Sequence, residues 1–163
     1  MLTIFARMKV LMVCLGNICR SPLAEGILKE KVRQAGLNWV VESAGTNRYH
    51  TGEAPHPLSQ KVALHNGIDI SAQRARSFIP EDIKQYDRIY ALAGDVLEDI
   101  RKIAGANFDS NKVELLLNEQ FPTENREVPD PYYGAEDGYH KVFAMIDEVC
   151  TTILEKYSNS VTR

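Results

Sequence analysis

The chain has 163 residues, a hydrophobic fraction of 44% and a formal net charge of −3. This length suits one domain with a full core, and the small negative charge excludes bulk attraction to nucleic acid or to an anionic membrane. No apolar run approaches membrane-spanning length. Three cysteines, Cys14, Cys19 and Cys150, do not make a disulfide framework, so we expect a reducing compartment, the cytoplasm.

The first element pattern is a strand, a tight loop and a helix. Residues 10–13 form an apolar run that predicts a buried strand. Gly16 and Asn17 are residue types that accept a positive φ, which allows the chain to coil tightly after that strand. Ser21 followed by Pro22 predicts a helix start, with serine as the N-cap and proline at the first helical position.

The loop between Cys14 and Arg20 has a chemical interpretation. Successive backbone amides in a tight loop can form an anion site, the following helix adds the positive end of its dipole, and Arg20 can hold two phosphate oxygens. These groups favour the thiolate form of a facing cysteine. The pattern therefore predicts attack of Cys14 on a phosphate monoester and a phosphocysteine that water hydrolyses. A cysteine and an arginine at this spacing also occur by chance.

The remaining pattern alternates strands with helices, which predicts an open α/β fold with its site beyond the carboxyl ends of the strands. We expect one domain over residues 1–163, with loose ends at residues 1–7 and 158–163. The predicted elements are strands over 10–13, 39–44, 88–93 and 112–117, helices over 22–35, 58–66, 95–103 and 135–157, a helical turn over 80–86, and loops over 46–57 and 122–134.

Metal and cofactor sites are not expected. The four histidines, His50, His56, His65 and His140, are scattered along the chain, and the two early cysteines have no second cluster with which to make a zinc site. Cys150 lies beside the apolar stripe of the last helix, which indicates a small core residue.

Residues 13–22, Val-Cys-Leu-Gly-Asn-Ile-Cys-Arg-Ser-Pro, resemble the signature of the low-molecular-weight protein tyrosine phosphatases. A second family motif is Asp-Pro-Tyr-Tyr-Gly at 130–134, and residues 42–46 and 52–57 also resemble family segments. The resemblance spans residues 8–157. It implies a Rossmann-like, four-stranded parallel sheet of order 2-1-3-4 with helices on both faces, and hydrolysis of phosphotyrosine in proteins without a cofactor.

The resemblance also implies roles for single residues. Cys14 would be the nucleophile and Asp130 the general acid, which later acts as base toward water; Pro131 keeps Asp130 extended and off a helix. Ser21 would hydrogen-bond the Cys14 sulfur. Arg20 would bind phosphate together with the loop residues Leu15, Gly16, Asn17, Ile18, Cys19 and Ser21.

Three tyrosines are expected to line the substrate crevice, Tyr49, Tyr132 and Tyr133, where they can stack on a substrate ring. Tyr49 is equally consistent with an ordinary surface position. Ser43 is expected to hold the side chain of Asn17. Cys19 is either a small buried residue or a redox partner that forms a reversible disulfide with Cys14 under peroxide.

The sequence also departs from the family pattern. Gln73 stands where many relatives have a histidine that braces the loop asparagine, and Leu92-Ala93 stands where relatives often have Met-Asp. We therefore expect a simpler buried network behind the loop, with an effect on rate rather than on reaction type.

Other functions compete on the same scaffold. Arsenate reduction needs further cysteines after the third strand, and none lies between Cys19 and Cys150. Protein-arginine phosphatases carry threonine where Ile18 stands, and isoleucine favours an aromatic ring. A non-catalytic phosphotyrosine-binding module is disfavoured because nucleophile, arginine and acid are all present. The expected partner is a phosphotyrosine protein, for which a tyrosine kinase is one candidate; no nucleic-acid or membrane partner is expected, and the chain should be a monomer or weak dimer.

Overall fold

Strands and helices alternate along residues 7–161, the part of the chain that the computed structural model describes. The strands are β1 Lys9–Cys14, β2 Val40–Gly45, β3 Arg88–Ala91 and β4 Val113–Leu115. The helices are α1 Arg20–Gln34, α2 Pro57–His65, α3 Asp82–Gln85, α4 Gly94–Ala104 and α5 Glu136–Val161, and short 3-10 turns span Gly105–Asn107 and Leu116–Glu119.

The four strands form one parallel sheet in the order β2-β1-β3-β4, which confirms the predicted order. In β1, Met12 lies opposite Ser43 of β2 and Tyr90 of β3. The chain runs from β1 to one side of the sheet and then returns to the other side at β3. The loop after β1 therefore lies at the switch point of the strand order, where α/β sheets bind their ligands.

Both faces of β1 are buried, and each contributes to a different core. Val10 and Met12 pack with apolar residues of α1, α2 and α5, whereas Leu11 and Val13 pack with residues of α3 and α4. Because successive strand residues point to opposite faces, the continuous apolar run fits a central strand covered by helices on both sides, which confirms the predicted fold class. Cys150 is fully buried in the first core, as predicted, and burial raises the pKa of its thiol well above the usual range.

The largest differences from the predicted elements lie at the C-terminal ends of two strands and of the last helix. β3 ends at Ala91 rather than 93, and β4 ends at Leu115 because the chain turns into the 3-10 segment that follows. α5 continues to Val161, so residues 158–161 are helical where a frayed end was predicted. Residues 1–6 and 162–163 of the predicted loose ends lie outside the described residues. Within residues 7–161, no helix is long and apolar enough to cross a membrane.

Candidate active site

The loop over residues 15–19 is held through its carbonyl groups. Leu15 O accepts the N–H of Asn47 at 2.9 Å, and Ile18 O accepts the N–H of His56 at 2.8 Å. Among the described residues, the backbone amides of 15–19 donate to no protein atom. The carbonyls of Leu15 and Ile18 are thus engaged by neighbouring segments, and the amides of the loop are available to the oxygens of a bound anion.

Asn17 fixes the shape of this loop. Its backbone lies in the left-handed region, with φ of 57°. Its side-chain amide donates to Ser21 Oγ at 2.8 Å and to Ser43 Oγ at 3.0 Å, and its Oδ1 accepts the N–H of Arg76 at 3.0 Å. Every polar atom of the side chain is therefore engaged, which stabilises a backbone conformation that costs most residues energy.

A carboxylate extends the hydrogen-bond network behind the loop. Ser43 donates to Glu25 Oε1 at 2.6 Å, and Glu25 also accepts Lys29 Nζ at 2.7 Å. Gln73 does not brace Asn17; its amide donates to the Pro22 carbonyl at 3.1 Å. Glu25 was not predicted as a site residue, because a glutamate in the second turn of a helix has the pattern of a surface residue.

Ser21 does not cap α1, so that part of the prediction is wrong. The helix begins at Arg20, and its N-cap residue, Cys19, makes no side-chain cap. The Ser21 hydroxyl lies 3.0 Å from Cys14 Sγ and accepts the side-chain amide of Asn17. The hydroxyl proton has two acceptors within reach, the Cys14 sulfur and, at a longer 3.4 Å, Ala44 O. The proline that follows is the third residue of the helix, not the first.

Gly16 lies in a crowded place and does not have a positive φ. Of the two predicted turn residues, only Asn17 has a positive φ. A Cβ at Gly16 would stand 3.0 Å from His50 Cδ2, and one at Gly45 would stand 2.9 Å from Leu15 O. Small residues on both sides therefore let the loop approach β2 and the segment after it.

Arg20 joins the cysteine loop to the loop that carries Asp130. The guanidinium is buried; its Nη1 donates to Val128 O at 3.1 Å, and its Nη2 lies 3.7 Å from Asp130 Oδ2. Asp130 Oδ1 accepts the N–H of Tyr132 at 3.1 Å. The Asp130 carboxyl therefore lies beside the arginine and remains 40% exposed.

These residues surround one crevice of about 240 Å³. The residues predicted to act in chemistry or to contact the substrate line it, except Asn17 and Ser21, which were predicted to bind phosphate and are buried behind the loop together with Ser43. Asn47 and His50 also line the crevice and were not predicted as site residues. The lining residues are Cys14, Leu15, Gly16, Ile18, Cys19, Arg20, Asn47, Tyr49, His50, Asp130, Tyr132 and Tyr133.

Aromatic side chains form the wall of the crevice. The rings of Tyr132 and Tyr133 meet edge to face at 4.9 Å, and His50 lies 6.1 Å from Tyr132. Tyr49 is 85% exposed and lines the crevice as well. It is therefore both a surface residue and part of the crevice wall, the two positions considered for it from the sequence. The entrance is thus apolar and aromatic, while the bottom is polar.

His56 supports this wall from behind. Its Nδ1 accepts the N–H of Leu58 at 3.1 Å and so caps α2. Its ring stacks on Tyr139 at 5.3 Å and contacts Tyr132 at 5.7 Å. Burial, with a smaller contribution from His50, lowers the pKa of His56. The neutral ring is the form that can accept the capping hydrogen bond.

The histidines form no metal site among residues 7–161, where no group of three His, Cys, Asp or Glu side chains is placed to hold an ion. His65 and His140 contact each other at the α2–α5 surface, with ring centroids 5.8 Å apart, and Glu136 pairs with His140 at 3.0 Å. This pair lies outside the residues that line the crevice.

Cys19 lies in the crevice as a protonated thiol. Its Sγ is 3.7 Å from Tyr139 Oη. Burial, aided by the nearby Cys14 and Asp130, raises its pKa to about 11. At neutral pH Cys19 is therefore a poor nucleophile.

The structure places a cysteine beside an anion-binding loop at the carboxyl edge of a parallel sheet. This arrangement is characteristic of cysteine-dependent phosphatases, so the fold and the crevice both point to that class of enzyme. The family model described as low molecular weight phosphotyrosine protein phosphatase matches residues 9–163. The chain belongs to this family.

Individual relatives agree with this assignment. A Synechocystis sp. chain assigned to the low molecular weight protein-tyrosine-phosphatases is 40% identical, over 90% of this chain and 94% of its own. A Streptomyces coelicolor low molecular weight protein-tyrosine-phosphatase is 36% identical, over 90% and 91%. The crystal structure of an Entamoeba histolytica protein tyrosine phosphatase superposes with a TM-score of 0.85 at 31% identity, covering 94% of this chain and 98% of that one.

The arginine phosphatase YwlE has the same fold, with a TM-score of 0.84 over 93% of this chain and 96% of its own. Its sequence identity is 24%. At that distance the likeness concerns the fold alone. The choice between substrates therefore has to come from the residues of the crevice.

Proposed function

We propose that this enzyme hydrolyses phosphotyrosine in proteins through a phosphocysteine on Cys14. The observation that carries the proposal is the convergence of Cys14, Arg20 and Asp130 on one crevice whose entrance is aromatic. A phosphate bound to the free amides of the loop would lie next to the sulfur, and an attached phenyl ring would lie between the tyrosines.

The proposed reaction has two steps. The Cys14 thiolate attacks phosphorus; the S–P bond forms and the P–O bond to the phenol breaks, while Asp130 gives its proton to the leaving oxygen. Water then attacks the phosphocysteine with Asp130 as base, and phosphate leaves with the thiolate restored. Arg20 binds the equatorial oxygens, and the Ser21 hydroxyl, 3.0 Å from the sulfur, stabilises it as leaving group.

Ile18 supports an aryl substrate over phosphoarginine. Its side chain lines the crevice, where an apolar branched group can pack against a substrate ring and offers no hydrogen bond to a guanidinium. A smaller polar residue here would suit a guanidinium-linked phosphate better. The experiment that tests the proposal therefore compares substrates directly.

We expect kcat/KM for a phosphotyrosine peptide to exceed that for matched phosphoserine and phosphoarginine peptides by at least about tenfold without added metal, since one pocket group is worth about 10- to 200-fold in discrimination. Ile18→Thr should move the ratio toward phosphoarginine. Leu64→Thr, an exposed apolar position on α2 outside the crevice, is the control and should leave the ratio unchanged. Preference of the parent enzyme for phosphoarginine would contradict the proposal.

Arsenate reduction is the weaker alternative. Arsenate could occupy the same loop, but its reduction needs a thiol relay. No cysteine lies between Cys19 and Cys150, and Cys150 is fully buried in the core. The chain thus offers no accessible thiol beyond those of the loop.

We further propose that Cys14 and Cys19 form a reversible disulfide under peroxide. Peroxide oxidises the Cys14 thiolate to a sulfenic acid, and attack by Cys19 forms the S–S bond and releases water. Because the pKa of Cys19 is raised to about 11, disulfide formation should become faster as pH rises from 7 toward 9.

Mass spectrometry after mild peroxide treatment would detect the cross-linked peptide in the parent enzyme. Cys19→Ala should instead accumulate Cys14 sulfinic acid and fail to recover activity with dithiothreitol. Progression of Cys14 to sulfinic acid in the parent, with no cross-link at any pH, would contradict the proposal.

The setting of the enzyme also follows from these thiols. We place it in the cytoplasm, since all three cysteines are free and reducing conditions would keep Cys14 active. Its partner would be a phosphotyrosine protein, with a tyrosine kinase as one candidate, and it would act as a monomer or weak dimer.

A further inference from the structure

The loop that carries Asp130 is fastened to the start of α4 by two adjacent residues. Val128 is fully buried and donates its N–H to Leu92 O at 2.9 Å. Glu127 directs its Oε2 to the backbone N–H of Gly94 at 2.5 Å. These two contacts lie on either side of Ala93, at the junction of β3 and α4. We call them together the Glu127 clamp.

The clamp satisfies an amide that α4 does not satisfy itself: within the helix, Asp95 Oδ1 accepts the N–H of Val96 at 2.9 Å, whereas the N–H of Gly94 is left to Glu127. Ala93 is the N-cap residue and has no side chain that could accept a hydrogen bond. The first amides of a helix have no intrahelical acceptor, and a carboxylate there satisfies one of them and meets the positive end of the dipole. A Cβ at Gly94 would stand 2.9 Å from Glu127 Oε2, so the carboxylate lies directly over the helix start.

The same segment reaches the active site on its other side. Val128 O accepts Arg20 Nη1 at 3.1 Å, and Asp130 Oδ2 lies 3.7 Å from Arg20 Nη2. A guanidinium that turns to bind the phosphate of a substrate weakens these contacts. The Glu127 clamp does not involve the guanidinium, so it can hold the segment throughout the reaction.

The chain between the clamp and the acid is stiff. Pro129 follows Val128 directly, and Pro131 follows Asp130. Each proline fixes its own φ and restricts the residue before it to extended conformations. A displacement at Val128 is therefore passed on to Asp130 instead of being absorbed by rotation of the intervening bonds.

We propose that Glu127 is a positioning residue for the general-acid step: by capping α4 it fixes the stiff segment 127–130 and thereby places the Asp130 carboxyl over the leaving oxygen. The inference rests on the proposed role of Asp130 as general acid. Glu127 touches no reacting atom, and its effect is confined to the efficiency of proton transfer, which depends on placement of the acid to within a fraction of an ångström.

The test is Glu127→Ala, assayed with aryl phosphates of graded leaving-group acidity. We expect kcat to fall about three- to tenfold for a phosphotyrosine peptide and less than about twofold for nitrophenyl phosphate, which needs little proton assistance. Inhibition by inorganic phosphate should not change. The matched control is Glu124→Ala, on the same loop, because Glu124 pairs with Arg126 at 2.7 Å and should leave both substrates unaffected.

A second variant separates positioning from helix stability. Adding Ala93→Ser to Glu127→Ala returns a side-chain acceptor to the N-cap of α4 from the helix itself, and serine is small enough for this buried position. We expect this double variant to regain thermal stability but to keep the leaving-group-dependent loss of kcat. Recovery of both would show that Glu127 only caps the helix and would overturn the inference.

Asp130→Asn distinguishes failure of this inference from failure of the proposed function. If Asp130→Asn shows a leaving-group-dependent loss and Glu127→Ala shows none, only the positioning role is overturned. If Asp130→Asn shows no such dependence, the general-acid role itself is overturned. In the Asp130→Asn background, Glu127→Ala should add no further leaving-group dependence, since no acid remains to be positioned.

Discussion

Replacing Cys14 with serine is expected to lower kcat for aryl phosphates by at least about 10⁴-fold. A serine hydroxyl is not ionised near neutral pH, and removal of the nucleophile from a site that acts as a unit has effects of this size or larger. The loop amides and Arg20 could stabilise an anion in the proposed site, but they cannot remove the proton of a serine hydroxyl. Initial rates of phenol release, followed with enzyme concentrations high enough to detect the residual activity, give the measurement.

The binding function should survive this change. The amides of residues 15–19 and the Arg20 guanidinium remain in Cys14→Ser, so we expect the variant to bind inorganic phosphate about as well as the parent does, as measured by calorimetry. Cys150→Ala, a change at a buried thiol far from the crevice lining, should retain turnover. Residual activity of Cys14→Ser within tenfold of the parent would exclude a phosphocysteine.

Replacing Asp130 with asparagine is expected to lower kcat about 10²- to 10³-fold for a phosphotyrosine peptide and much less for nitrophenyl phosphate. General acids contribute about 10²- to 10⁴-fold, and the contribution grows with the basicity of the leaving oxygen; tyrosine has a pKa of about 10. Asparagine can still accept the N–H of Tyr132, now at 3.1 Å from Oδ1, so the loop should keep its shape.

A plot of rate against leaving-group acidity, steeper for the variant than for the parent, is the measurement for this change. Asp137→Asn is the matched control, because Asp137 is exposed in the first turn of α5 and does not line the crevice. Equal losses for good and poor leaving groups would mean that Asp130 acts by charge or by loop geometry and not by proton donation.

The local order of the site could be predicted because short-range chemistry determines it. The apolar run of β1 is buried on both faces, which is the pattern of a central parallel strand. Asn17 adopts a positive φ, which asparagine accepts more readily than most residues. Asp130 lies between Pro129 and Pro131, and a following proline keeps a residue extended and off a helix. Each of these properties depends on a residue and its immediate neighbours, so the sequence is sufficient.

Two local predictions were wrong because tertiary contacts take over the groups concerned. Ser21 has the residue type of an N-cap, but its hydroxyl is engaged by Asn17 and lies against the Cys14 sulfur. Gly16 was interpreted through its backbone freedom, whereas its φ is not positive and an added Cβ would stand 3.0 Å from the nearby His50 ring. In both cases the outcome depends on a neighbouring side chain whose position cannot be predicted from the local sequence.

The residues that sequence reasoning missed belong to long-range contacts. His50 and Asn47 reach the crevice because the segment after β2 folds back on the cysteine loop. Glu25 and Glu127 look like solvent-exposed glutamates in the sequence, and only the fold brings them to Ser43 and to Gly94. Glu127 meets an amide 33 positions away, a distance at which residue type and spacing carry no information.

The engagement of the loop carbonyls by neighbouring segments affects the end of the catalytic cycle as well as its beginning. A site assembled before any ligand arrives loses little freedom on binding, and inorganic phosphate would meet the same amides as the phosphate group of the proposed substrate. The preassembled loop that favours binding of the substrate should therefore also slow the release of inorganic phosphate. Turnover should be subject to inhibition by its own product and by other tetrahedral oxyanions of similar size, vanadate and arsenate among them.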